Sequence, residues 1–179
     1  RLFTDINNKQ VKVPARVLIE LKADFDLDSQ YAGQRLYALA SKVALQLNRD
    51  RMSPIFSHIQ TESAAIGSAF IVLPQIVEAL RRSALIGTVD SRANVLLPGV
   101  FYGSEKIETT IERSVTILSH FFRIFSQGCP EHWALRNKRN LPDPGGHLCT
   151  SLGIATLIHL LDDLVKFIGE TYKIKFREL

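Results

Sequence analysis

Two long runs of apolar residues at helical spacing constrain this chain more than any other feature. Within 104–127, Ile107, Ile111, Val115, Leu118, Phe122 and Phe125 recur every three or four residues. Within 148–171, Ile154, Leu157, Leu161, Leu164 and Ile168 do the same. Such spacing puts one apolar stripe along an α-helix and is incompatible with a strand, whose period is two. Ile117, Phe121 and Ile124 widen the first stripe, so that helix is expected near the centre of a bundle. Ser104 is placed to cap it, and Glu105 and Glu108 suit the positive end of its dipole. Burying its Leu and Phe side chains contributes roughly 1.5–3 kcal/mol each before entropy is counted.

Shorter helices follow from the same reasoning. Pro14 opens one that runs to about Asp24, with Val17, Leu18 and Leu21 facing inward, because its fixed φ and missing N–H suit a first helical position. Another starts within 28–34 and ends near Arg49, carrying Leu36, Leu39, Ala40, Val43 and Leu47. Residues 51–60 contain Pro54 and one expected helical turn around Phe56. The β-branched stretch "GSAFIVL" (67–73) reads as a short strand, and Pro74 then permits a helix to about Leu85. Residues 86–104, with Gly87, Pro98, Gly99 and Gly103, read as loop broken at most by a short helical turn. Residues 128–147 also read as a break, and the tail "YKIKF" as a frayed end or an edge strand. At the start, residues 1–7 look like the last turns of a helix, with Leu2, Phe3 and Ile6 on one face and Asn7-Asn8 ending it. The expected class is all-α in the main: a helical bundle of about five to seven helices with at most a short strand element.

The chain has 179 residues, 46% of them hydrophobic and 22% charged, which suits one domain with a sizeable core. A net charge of +4 tolerates a nucleic-acid partner without demanding one. Two cysteines, Cys129 and Cys149, are too few for a disulfide framework and fit reduced thiols in a cytoplasmic protein. No apolar run approaches the roughly 18 residues of a membrane span, so no membrane partner is expected.

Four constellations carry potential chemistry. Cys129, His132, His147 and Cys149 form a C-x2-H and an H-x-C pair around a loop. Zinc takes thiolate and imidazole in tetrahedral sets, but the H-x-C spacing is unlike a common knuckle, and zinc binding stays open. Arg113 and His120 lie two turns apart on the strongest helix, similar to the Arg-x6-His pair of HEPN-type ribonucleases; that spacing is also common by chance. Arg136, Lys138 and Arg139 cluster in a loop beside Trp133, with further cations at Arg81 and Arg82 and at Lys173, Lys175 and Arg177. Converging cations are what phosphate contact needs. Trp133 itself reads as a lid on the core. Asp162 and Asp163 are adjacent on a helix and face different directions, a poor acid/base couple. No phosphate loop, dinucleotide fingerprint or nucleophile elbow occurs, and no cofactor is implied.

The opening "LFTDINNKQVKVP" (2–14) places a hydrophobic pair before Asp-Ile-Asn and a polar turn ending in Pro. It resembles the Phe-x-Asp-Ile-Asn segment of DGQHR-domain proteins, which include the DndB-type proteins linked to DNA phosphorothioate modification. "FIVLPQIVEALRRS" (70–83), "PEHW" (130–133) and "LCTSLGIATLIHLLDDL" (148–164) are similar to later helical segments of that family, so the resemblance covers most of the chain. The Asp-Gly-Gln-His-Arg stretch itself does not occur in these residues. The resemblance implies that it lies upstream, in a ParB/sulfiredoxin-like α/β domain, with residues 1–12 as the tail of that domain and 13–179 as the helical domain. It also implies a pocket for a nucleotide or nucleic-acid phosphate, with Asp5 and Asn7 at its edge and Lys9 and Gln10 adding donors. Equally, Asp5 and Asn7 fit as helix terminators that bond nearby backbone.

The sequence therefore leads us to expect a helical region associated with bacterial DNA modification or defence. Its contribution would be to DNA binding, regulation or assembly, through Asp5, Asn7, Lys9, Gln10, Arg136, Lys138 and Arg139, without a complete active site. Expected partners are DNA, the upstream α/β domain and a second copy in a homo-oligomer. The alternatives are a protein–protein interaction module and a HEPN-like ribonuclease.

Overall fold

The computed structural model describes residues 14–61, 71–102, 106–133 and 146–172. Among these, six helices dominate: α1 (Ala15–Phe25), α2 (Ala32–Arg49), α3 (Leu73–Arg82), α4 (Ile107–Gly128), α5 (Pro130–Trp133) and α6 (Ser151–Tyr172). Two small sheets accompany them, β1 (Ile59–Gln60) with β2 (Ile71–Val72), and β3 (Gly87–Asp90) with β4 (Val95–Pro98). The mainly helical class expected from the apolar spacing is the class observed.

Helix α2 is the hub, touching α1, α3 and α4. A helix surrounded on three sides needs short side chains where neighbours come close, and α2 buries Ala32, Ala38, Ala40, Ser41 and Ala44 besides Leu36, Leu39, Val43 and Leu47. Two hydroxyls inside this packing are satisfied locally: Ser41 Oγ donates to the Tyr37 carbonyl at 2.8 Å, and Ser114 Oγ on α4 to that of Thr110 at 2.6 Å. Leu118 and Phe122 of α4, Ile76 and Leu80 of α3, and Ile154 and Ile158 of α6 belong to the same core.

Helix α3 follows β2 directly, with Pro74 in its first turn. It runs in the same direction as α6, because its two ends are tied to the first half of that helix. The Val72 amide donates to Ser151 Oγ at 2.7 Å, and the Ala84 amide donates to Asp162 Oδ1 at 3.1 Å. The parallel β1–β2 pair aligns Ile59 with Ile71 and Gln60 with Val72.

Several expectations change. Residues 86–104, read as loop, contain the antiparallel β3–β4 hairpin. Its turn is built by Asp90, whose Oδ1 accepts from the amides of Arg92 and Ala93, and by Asn94 in the left-handed region at φ 51°. Around Phe56 there are turns rather than a helix, leading into β1. On α1, Ile19 and Ala23 are buried, whereas Leu18 and Leu21, expected inward, are exposed. The helix meets α2 and α3 along its Ile19–Ala23 line, which turns the two leucines away. Ile124 on α4 and Leu164 on α6 are likewise exposed, outside the arcs their helices bury. The expected helix at 1–7, the domain boundary at residue 12, the Ser104 cap with Glu105, and the tail strand lie outside the described residues.

Candidate functional site

Between α3 and α6 lies an open cleft of about 540 Å³. It exists because the facing positions are short: Ala79 on α3, Ser151 and Ala155 on α6, with Pro74 at one end. Its rim carries Gln75, Glu78, Arg82 and His159. A second cleft of about 450 Å³ flanks α3 on its other side, where Lys22, Asp26, Gln34 and Tyr37 meet Glu78 and Arg81. Glu78 lines both clefts, so α3 forms a charged ridge between them.

The ridge is an ion-pair fork generated by the E-x-x-R-R spacing, which stacks residues three and four apart on one helix face. Arg81 grips Glu78 in bidentate fashion, Nε to Oε2 and Nη2 to Oε1, both at 2.8 Å. Arg82 Nε donates to Oε1 at 2.6 Å. These donors, Arg81 first, hold the Glu78 carboxyl down at about 2 against some opposing desolvation, and the pairing pushes the Arg81 guanidinium further up. Across the second cleft, burial and the Glu78 charge push the Tyr37 phenol up. Glu78 is thus a fixed anion at neutral pH, unsuited to proton transfer, and the ridge carries one cation in excess. Arg82 gives Glu78 only its Nε–H and keeps its side chain 69% exposed, so its other guanidinium donors remain for a ligand.

The other candidates distribute as follows. Asp5, Asn7, Lys9, Gln10, Arg136, Lys138 and Arg139 lie outside the described residues. Trp133 is buried, as a lid on the core would be. The backbone does bring the two Cys/His pairs together: His132 N and Trp133 N donate to the Cys129 carbonyl at 3.0 Å, and Leu148 N to that of His132 at 3.0 Å. The side chains part company. Cys149 is buried, which pushes its thiol up to about 12, whereas His132 is exposed with Glu131 3.6 Å away. Among the described residues, no three His, Cys, Asp or Glu side chains converge as a metal site would require. Arg113 is half-buried and His120 exposed on α4, and neither lines the two clefts.

Asp162 and Asp163 do face different ways, as their adjacency implies. Asp163 is exposed, while Asp162 is buried and accepts from Lys166 Nζ at 2.6 Å as well as from Ala84. Asp162 is an anchor between α6 and the end of α3. Sequence reasoning passed over Gln75, Glu78, Tyr37 and His159. The ion-pair spacing at 78–82 was a readable signal; the clefts on either side depend on which helices pack there.

The chain matches no family model, no curated protein and no solved structure.

Proposed function

We propose that this chain is the helical region of a DGQHR-type, DndB-like protein, and that it serves bacterial DNA modification or defence as a binding and assembly element without a complete active site. The observation that carries the binding role is the α3 ridge. A carboxylate clamped by two guanidiniums does no acid/base work, while the open clefts beside it offer apolar floors and charged rims to a partner. The excess cation at Arg81 and Arg82 adds to the basic cluster at Arg136, Lys138 and Arg139 as a source of phosphate contacts.

A fluorescence anisotropy titration with duplex DNA at low and at physiological salt tests the reading. Binding that weakens steeply with salt is expected, with a slope of about −0.9 per phosphate neutralised. Replacing Arg136, Lys138 and Arg139 together by Ala should lower affinity and flatten that slope. The Arg81→Ala/Arg82→Ala pair should do so to a smaller degree, because Glu78 already engages both. Absence of salt-sensitive binding would overturn the DNA role. It would favour a protein-interaction module, the reading that the exposed Leu18, Leu21 and Phe25 on α1 also support.

A further inference from the structure

A third cavity, of about 190 Å³, lies away from the α3 ridge, where the β3–β4 hairpin packs on α2. Leu27, Leu39, Leu96 and Ile107 give it apolar walls, and Arg35 and Tyr102 supply its polar side chains. The walls come from distant parts of the chain: the turn at Asp26–Asp28, α2, β4 and the first residue of α4. The polar pair is held in place. Arg35 stands one turn into α2, and its Nη1 donates back to the Ser29 carbonyl at 2.6 Å, which keeps the guanidinium near the positive end of that helix. Tyr102 follows Phe101, which is buried and whose amide donates to the Leu85 carbonyl at 2.7 Å. The Tyr102 amide closes the turn on the Gly99 carbonyl at 3.2 Å. Position 99 needs a glycine, because a Cβ would run into the carbonyls of Ala84 and Leu85.

Charge, polarity and size converge on one class of ligand. The cavity is cationic: among the described residues no acidic side chain lines it, and Arg35 forms no ion pair. Asp26 and Asp28 flank Leu27 in sequence, but Asp26 faces the second cleft and Asp28 is exposed. Arg35 has a single guanidinium donor engaged, and the Tyr102 hydroxyl bonds to no described residue. A planar fork of N–H donors matches a planar carboxylate. The apolar walls suit a hydrocarbon body and disfavour a strongly hydrated phosphate. An apolar cavity of about 150 Å³ accommodates one benzene ring. At about 190 Å³ this one has room for a ring and a carboxylate, and it is smaller than the roughly 300 Å³ that a drug-sized ligand takes.

We propose that this cavity binds a small carboxylate built on a single hydrocarbon ring, of which benzoate is the simplest aromatic case. The carboxylate accepts from the Arg35 guanidinium and from the Tyr102 hydroxyl, and the ring fills the space between Leu39 and Leu96. Leu96 lies two residues beyond Asn94, whose side chain bonds to the first turn of α2. Occupancy therefore ties the hairpin, α2 and the start of α4 together, and a ligand that binds only the folded chain stabilises it. The inference stands apart from the DNA reading: no residue of this cavity lies on α3 or in the basic clusters.

Titration of the isotope-labelled chain with benzoate, followed by amide chemical shifts and by Tm, tests it. Saturable shifts are expected at Leu39, Leu96 and Ile107 and not at Ala79 or Ala155, with a Kd of about 1 mM or tighter. Tm should rise with benzoate concentration. Benzamide has the same shape without the charge and should bind about tenfold more weakly. Arg35→Gln should weaken benzoate about tenfold and leave benzamide unchanged. Tyr102→Phe removes only a hydroxyl, so circular dichroism and the Tm of the free chain should stay near wild type while benzoate affinity falls severalfold. The absence of saturable shifts up to about 20 mM benzoate overturns the proposal. So does equal affinity for benzamide, or shifts confined to α3 and α6, which would place the anion on Arg82 instead.

Discussion

Glu78 shows how three residues on one helix can fix a charge state. Its carboxyl lies at about 2 because Arg81 and Arg82 donate to it, against an ordinary value of 4.5. An acid held lower in the folded chain than in the unfolded one stabilises the fold fully above its unfolded value and loses that contribution as pH falls through its folded value. Thermal unfolding of wild type should therefore show a drop in Tm between about pH 4.5 and 2 that is smaller in Glu78→Gln. A third of the Glu78 side chain is exposed, so solvent screens the pair and the difference should be modest. At neutral pH the same substitution leaves Arg81 and Arg82 without their shared anion and should tighten DNA binding.

At the scale of elements, the β3–β4 hairpin acts as a cap for a distant helix. Tyr31 precedes α2 and makes no side-chain cap. The missing acceptor comes from Asn94, whose Oδ1 accepts from the Ala32 amide at 2.9 Å while its Nδ2 donates to the Gln30 carbonyl at 3.0 Å. One residue thus ends the hairpin turn in a left-handed conformation and starts the helix that organises the bundle. Asn94→Ala loses the cap and strains the turn, and should cost about 1–2 kcal/mol in urea unfolding. Asn94→Asp keeps the acceptor and the turn preference and should cost less; equal losses would mean that the side-chain bond to α2 contributes nothing.

Across the whole molecule, α3 is held between the hub helix α2 and the outer helix α6, and Asp162 is the polar tie that fixes α6 in place. Its buried carboxylate accepts the Ala84 amide and the Lys166 ammonium, which the pairing pushes to a higher pKa. Asp162→Ala leaves the Ala84 amide without its acceptor at a part-buried site, and should destabilise the fold by about 1–3 kcal/mol. Asp162→Asn retains an acceptor for Ala84 and should lose less. A smaller loss in Ala than in Asn would show that the carboxylate is an uncompensated burden. The sequence by itself determined the five longer helices, because a 3–4 apolar period has a single regular solution, and it determined the ion-pair fork at 78–82, because residues on one helix meet at fixed spacing; the short α5 fell inside a segment that read as a break. Its reach ended where partners come from afar. Leu18 and Leu21 have the chemistry of core residues, and only packing decided that Ile19 and Ala23 would be covered instead. The hairpin hid among loop residues because its turn is stabilised by Asp90 and Asn94 rather than by a Gly-containing dipeptide, and because Asn94 finds its second role on α2. The two clefts were equally out of reach, since a void is set by which helices lie side by side, and that is a property of the tertiary structure alone.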